Sequence, residues 1–432
     1  MPSFVRRGLE TLVRPFPAAE VTSIGPEADP GDGGVEAAAI DAIWKAAVGA
    51  YDTGLYPALA LCLRRGGVTV LDRAIGHASG NAPGDPRDAF KRPARHDGLY
   101  CMFSASKMVT AMLVHLLEER HLVHLDDPVA TYVPDFGRKG KGGITLRHVL
   151  THRAGIPRIP PVLADPNLLS RPDEILSLLC EQAPSWRPGR KLGYHALTGG
   201  FVLGAVIERV TGKSLRQVLA DEVRKPLGLD TFDFGVAPAR LHDVAINAFT
   251  GPPIVPPLAT FIRRALSVSF ADAVRMSNDP RFLEAVVPAG NICTTARDAA
   301  RFMQMLLDGG TLDGVRVFDE RTIARATAEQ SYLELDLTIG APIRYGMGFI
   351  LGAKVASPYG IDTPRAFGHL GFTNVFVWAD PDRDLAAALL TTGKPALAPA
   401  MARTWWLLTT IARRIPKVPR RSRSGAAAAA GR

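Results

Sequence analysis

Residues 108–117, MVTAMLVHLL, are apolar on most of the surface that a helix would present. Such a helix must be covered from several sides, so the chain has to build layers around it. With 432 residues, 47% hydrophobic and 22% charged, it is long enough to do so, as one two-lobed domain or two closely joined ones. Strand signals lie toward both chain ends. Residues 58–64 and 68–75 read as a hairpin turning at Arg65-Gly66-Gly67, and residues 374–379 and 385–391 as a second through Asp380-Pro381-Asp382. One helix begins near Ala38 and another runs from about Ala398 to Arg413. This pattern predicts an α+β fold, an α/β sandwich: an antiparallel β-sheet flanked by terminal helices, with a mostly helical lobe inserted at about 125–300. Residues 1–37 read as an arm and linker, 38–412 as the folded domain and 413–432 as a basic disordered tail.

The tetrapeptide Ser104-Ala105-Ser106-Lys107 opens the apolar helix. Residues three apart share a helix face, so the Lys107 amine can reach the Ser104 hydroxyl. A serine hydroxyl becomes a good nucleophile once a base takes its proton, and a lysine desolvated enough to lose several units from its pKa of about 10.4 can be that base. The pentapeptide G-x-S-x-G of the α/β-hydrolases does not occur, since Gly76-His77-Ala78-Ser79-Gly80 has its serine one place late. Neither phosphate-binding glycine motif is present, so nucleotide chemistry lacks support and no cofactor is expected.

Two further segments keep company with this serine: Tyr194-His195-Ala196, within Gly193-Tyr194-His195-Ala196-Leu197-Thr198-Gly199-Gly200, and His369-Leu370-Gly371 followed by Phe372. In this order the three blocks resemble the serine β-lactamase and penicillin-binding-protein superfamily, whose set is S-x-x-K, then Y-x-N or S-D-N, then K-T-G. The resemblance covers about residues 40 to 395 and is nearest to class C β-lactamases and family VIII carboxylesterases. It implies Ser104 as nucleophile, Lys107 and Tyr194 as its partners, and the backbone N–H groups of Ser104 and Phe372 as oxyanion donors, with His369 and Gly371 beside the substrate. Either neutral Lys107 or a Tyr194 phenolate can accept the serine proton, and an ammonium beside a phenol favours phenolate. Gly371, lacking Cβ, lets its strand come close to substrate. Two departures matter. Ala196 stands where lactamases have an asparagine that binds the amide of the drug, and His369 stands where they have lysine. Both point to the esterase branch: a carboxylesterase or lipase acting on short to medium acyl esters, a place in lipid metabolism, and a small-molecule ester or lipid as substrate. The alternatives are a β-lactamase or D-amino-acid peptidase and, further off, a non-catalytic scaffold on the same fold.

His148 and His152, four residues apart, lack the glutamate of H-E-x-x-H and read as structural, so no metal is expected. Cys62, Cys101, Cys180 and Cys293 read as buried thiols. Residues 236–290 combine a proline-rich break with Phe261, Ile262, Arg263, Arg264, Leu266, Val268 and Phe270, which suits either an acyl-pocket lid or packing within the helical lobe. The net charge of +9 resides in the termini: residues 1–14 carry +2 and residues 413–432 carry +7. A nucleic-acid surface is therefore not implied. Beside these cations stand Trp405 and Trp406, which either dock the last helix on the sheet or join a basic amphipathic piece in peripheral membrane contact. No segment has the length of a membrane span and the first residues lack a secretory apolar core, giving a cytoplasmic expectation, with membrane association at its inner face as the variant.

Overall fold

The computed structural model describes residues 11–256, 258–332, 334–396 and 401–419. In chain order the framework is strand β1 (Thr22–Ile24), helix α1 (Ala37–Ala50), strands β2 (Ala58–Arg65) and β3 (Val68–Ser79), helices α2 (Ser106–Glu119), α3 (Thr198–Thr211) and α4 (Ala296–Leu307), strands β4 (Ile350–Leu351), β5 (Phe367–Gly371), β6 (Val375–Asp380) and β7 (Leu385–Thr391), and helix α5 (Ala402–Arg414). The strands form an antiparallel sheet in the order β1-β3-β2-β7-β6-β5-β4, with Arg92–Pro93 added to β3. Its centre joins the two chain ends, Leu61 opposite Leu389 and Cys62 opposite Ala388. Gly66 and Gly67, both at positive φ, make the two-residue β2–β3 turn, a conformation that matches the twist of the strands it connects.

Side chains alternate across each strand, and both faces are covered. Leu59, Leu61, Leu63, Phe376, Trp378 and Leu389 meet Ile40 and Ile43 of α1 and Leu407, Leu408 and Ile411 of α5. Ala60, Cys62, Val375, Val377, Ala388 and Leu390 belong to the larger core on the other face, which includes α2, α3 and α4. Every residue of α2 from Ser106 to Leu117 is buried, as its apolar surface requires. The helical lobe holds most of the chain between α2 and α4. It also contains a small three-stranded sheet made by Tyr100–Cys101, Ile292–Thr294 and Asp233–Phe234.

Two expectations change. The segment read as an arm is docked: Thr22 pairs with Ile75 in β3, and Glu27 forms a 2.8 Å ion pair with Arg73. A short strand there covers the edge that β3 would otherwise expose. Trp405 and Trp406 do not dock the last helix, since they are 44% and 50% exposed, and buried Leu407, Leu408 and Ile411 attach it instead. Residues 1–10, 397–400 and 420–432, which include parts of the proposed arm, the last helix and the tail, lie outside the described residues. All four cysteines are buried free thiols.

Candidate active site

The segment of the expected nucleophile, Ser104, enters α2 through a 3-10 turn at Phe103–Ala105. Phe103 has φ +49°, a left-handed conformation that costs a non-glycine residue about 1–3 kcal/mol. Ile292 offsets that cost from a neighbouring strand. Its carbonyl accepts the Met102 N–H at 2.8 Å, and its own N–H donates to Ser106 Oγ at 2.9 Å. Ser104 emerges partly exposed from this pinned turn, with Lys107 one helical step behind it.

Lys107 Nζ lies 3.0 Å from Ser104 Oγ, donates to the Ala289 carbonyl at 3.0 Å and sits 4.9 Å from the Tyr194 ring centre. Among the described residues no carboxylate pairs with it, and burial pulls its pKa from 10.5 down to about 7. The Tyr194 hydroxyl hydrogen-bonds Ser104, and burial pushes the phenol well above its ordinary range. Of the two bases the sequence left open, desolvation of the ring oxygen disfavours the phenolate, while the same burial favours the free-base form of the amine.

The third segment arrives on β5. Ile350 and Leu351 of β4 pair with Gly368 and Phe367, so among the described residues β5 has no strand partner on that side from His369 onward. A Cβ on Gly371 would stand 2.4 Å from the Met102 carbonyl oxygen. The glycine is therefore needed for β5 to close on the nucleophile turn itself, two residues before Ser104, rather than only on a substrate. Phe372 follows with its ring 5.6 Å from that of Phe103. His369 is 2% exposed and its ring centre is 6.2 Å from that of Tyr194. Its Nδ1 lies 2.7 Å from the Leu370 carbonyl and so carries the proton, leaving buried Nε2 as an acceptor without a partner among the described residues. Burial and the Lys107 charge hold this imidazole neutral, down to about 3.

Other members of the site were not read from the sequence. Asp336, wholly buried, accepts the Tyr194 N–H at 3.1 Å and, through its other oxygen, the Tyr345 hydroxyl at 3.0 Å. The ring of His152 packs 4.7 Å from Tyr194 and 5.0 Å from Tyr345, and its Nδ1 accepts the His195 N–H at 3.2 Å. His148 instead closes a capping box with Thr145, so the two histidines have separate jobs. Among the described residues no group of three His, Cys, Asp or Glu side chains is placed to hold a metal ion. On the far side of Ser104, buried Lys394 lies 4.6 Å from the Phe103 ring centre and donates to the Thr391 carbonyl at 2.6 Å. From the segment weighed as a lid, Phe270 packs 4.8 Å from Phe372 and 5.7 Å from Phe249. The side chains of Phe261 and Arg264 lie outside the described residues.

A two-faced antiparallel sheet with an inserted helical lobe, holding an S-x-x-K serine against a buried amine, is the architecture of β-lactamase-like serine hydrolases. The chain belongs to the Beta-lactamase family, which it matches over residues 39–410. It is 30% identical over 312 residues to "Esterase/beta-lactamase LipL" of Mycobacterium tuberculosis, covering 69% of this chain and 70% of that protein. A solved structure described as a family VIII carboxylesterase is 28% identical, with a TM-score of 0.73 over 88% of this chain and 99% of that one. A penicillin-binding-protein homologue from Caulobacter crescentus is 27% identical, with the same TM-score and the same coverage.

Proposed function

We propose that this serine hydrolase cleaves carboxylic esters of short to medium acyl chains through an acyl-enzyme on Ser104. The observation that carries the reading is the 3.0 Å approach of Ser104 Oγ to a buried lysine, whose desolvation pulls its pKa down to about 7. Neutral Lys107 accepts the Ser104 proton as Oγ attacks the ester carbonyl. The N–H groups of Ser104 and Phe372 receive the oxyanion, each such donor lowering the barrier by about 2.7–4 kcal/mol. As the tetrahedral intermediate collapses, the alcohol leaves with the proton returned by the Lys107 ammonium, and Tyr194 O–H steadies the oxygens between which it moves. Water then attacks the acyl-enzyme, losing a proton to Lys107; as the bond from the acyl carbon to Oγ breaks, the Lys107 ammonium returns that proton to Oγ, and the acid, free Ser104 and neutral Lys107 result.

Two features favour esters over lactams. His369 offers a neutral acceptor in place of a cation, so it has no charge to set against a substrate carboxylate, and Ala196 has no amide to offer. Phe372, Phe270 and Phe249 pack ring against ring next to Phe103, apolar surface that would suit an acyl chain. The names of the relatives include both esterase and β-lactamase, so the test sets the two substrates side by side. A fluorophosphonate probe should label the native protein and not Ser104→Ala. A series of p-nitrophenyl esters should then be turned over far faster than a chromogenic cephalosporin. Absent labelling refutes the serine mechanism, and faster cephalosporin hydrolysis refutes the ester preference.

A further inference from the structure

We infer that the outward face of α5 is a docking surface for an anionic lipid bilayer. The helix is fastened to the sheet by Leu407, Leu408 and Ile411, and this turns Trp405 and Trp406 outward, 44% and 50% exposed. Arg413, exposed one helical stretch further on, stacks its guanidinium 5.9 Å from the Trp406 ring centre. Adjacent indoles with one wet and one apolar side are the side chains that settle at a bilayer interface.

The segment before β5 packs on the same helix, and the carboxylates beside it are paired with cations. The loop at 357–360 rests on the helix, where a Cβ on Gly360 would meet the Leu408 carbonyl at 2.7 Å, and the same loop region exposes 82% of Val355. Two nearby carboxylates are neutralised, Asp362 by Lys417 at 2.8 Å and Asp382 by Arg365 at 3.3 Å. Beyond Met401 the sequence holds eight Lys or Arg and no Asp or Glu. Each cation near an anionic leaflet strengthens binding roughly fivefold. The charge also excludes the simplest protein partner: a symmetric dimer through this face would set one cationic patch against its own copy.

The test is co-sedimentation of the full-length protein with vesicles of phosphatidylcholine alone or with one third phosphatidylglycerol. Binding is expected only to the anionic vesicles and should be lost in high salt. Trp405→Ser with Trp406→Ser should weaken it at least tenfold, and Arg413→Gln with Arg414→Gln roughly twentyfold. All four positions are solvent-facing, so p-nitrophenyl ester turnover in free solution should match the native protein in both variants and report intact folding. Equal binding to both vesicle types, indifference to the substitutions, or a self-association that the same substitutions abolish each overturns the inference. None of these outcomes depends on which ester the enzyme hydrolyses.

Discussion

Gly371→Ala tests how closely the oxyanion site is built. The new Cβ would lie 2.4 Å from the Met102 carbonyl oxygen and 2.7 Å from Val375 Cβ, whereas ordinary contact begins at 3.4 Å. Neither obstacle is a flexible tip: one is main chain in a turn pinned by Ile292, the other the root of a fully buried valine. β5 must therefore retreat by about 1 Å, carrying with it the Phe372 N–H proposed to meet the developing charge. A misplacement of that size costs about a hundredfold, in line with losing much of one oxyanion donor. The ground-state ester gains little from that donor, so the loss should appear in kcat while KM stays within roughly threefold. Initial rates on p-nitrophenyl butyrate, normalised to the fraction of Ser104 that a fluorophosphonate titrates, make the comparison. A kcat within threefold of native would refute the argument, because it would mean either that the strand accommodates a methyl group or that Phe372 does not bind the oxyanion.

For native enzyme, kcat/KM should climb with pH through about 7 as Lys107 loses its proton; a flat profile from pH 5 to 9 would deny it the role of base. Lys107→Met should lower kcat by at least a thousandfold yet not lower the melting temperature at pH 7. The folded pKa near 7 lies below the unfolded value of 10.5, so stability drains away as pH falls between them and a thioether removes that loss, of order 5 kcal/mol; a marked fall in melting temperature would contradict this. Asp336→Ala leaves the Tyr194 N–H and the Tyr345 hydroxyl without their buried acceptor and should destabilise the fold by about 3 kcal/mol in urea unfolding, with kcat reduced about tenfold. Lys394→Met keeps the aliphatic stem but removes the donor held by Thr391 beneath Phe103, and should reduce kcat about tenfold with KM unchanged, as measured on the same ester series.

What could be read from the sequence was local or repeated. Ser104 and Lys107 are one helical step apart, the Gly66-Gly67 turn announces its hairpin, and the run beginning at Met108 can belong only to a helix covered on several sides. Tyr194 and His369 were found because each sits in a short block whose neighbours also fit the superfamily. What stayed hidden depends on chain segments meeting late. Asp336 supports Tyr194 from 142 residues away and looks in sequence like any loop aspartate. Lys394 reads as a surface lysine until β7 delivers it beneath Phe103. His152 looked like the partner of His148 because both fit one helix face, but its φ of +58° takes it out of the helix and turns it to Tyr194. The choice between Lys107 and Tyr194 as base stayed open for a related reason: pairwise charge can be guessed from composition, whereas the cost of desolvation is fixed only when the walls close.

The sheet stands between α5 and the turn that bears Ser104. An enzyme resting on a bilayer through its tryptophan-bearing helix would thus keep its catalytic mouth on the aqueous side, meeting esters one molecule at a time after they desorb. Its velocity would then follow the dissolved concentration of ester and level off where that ester begins to form micelles, unlike an interfacial lipase, whose rate rises there.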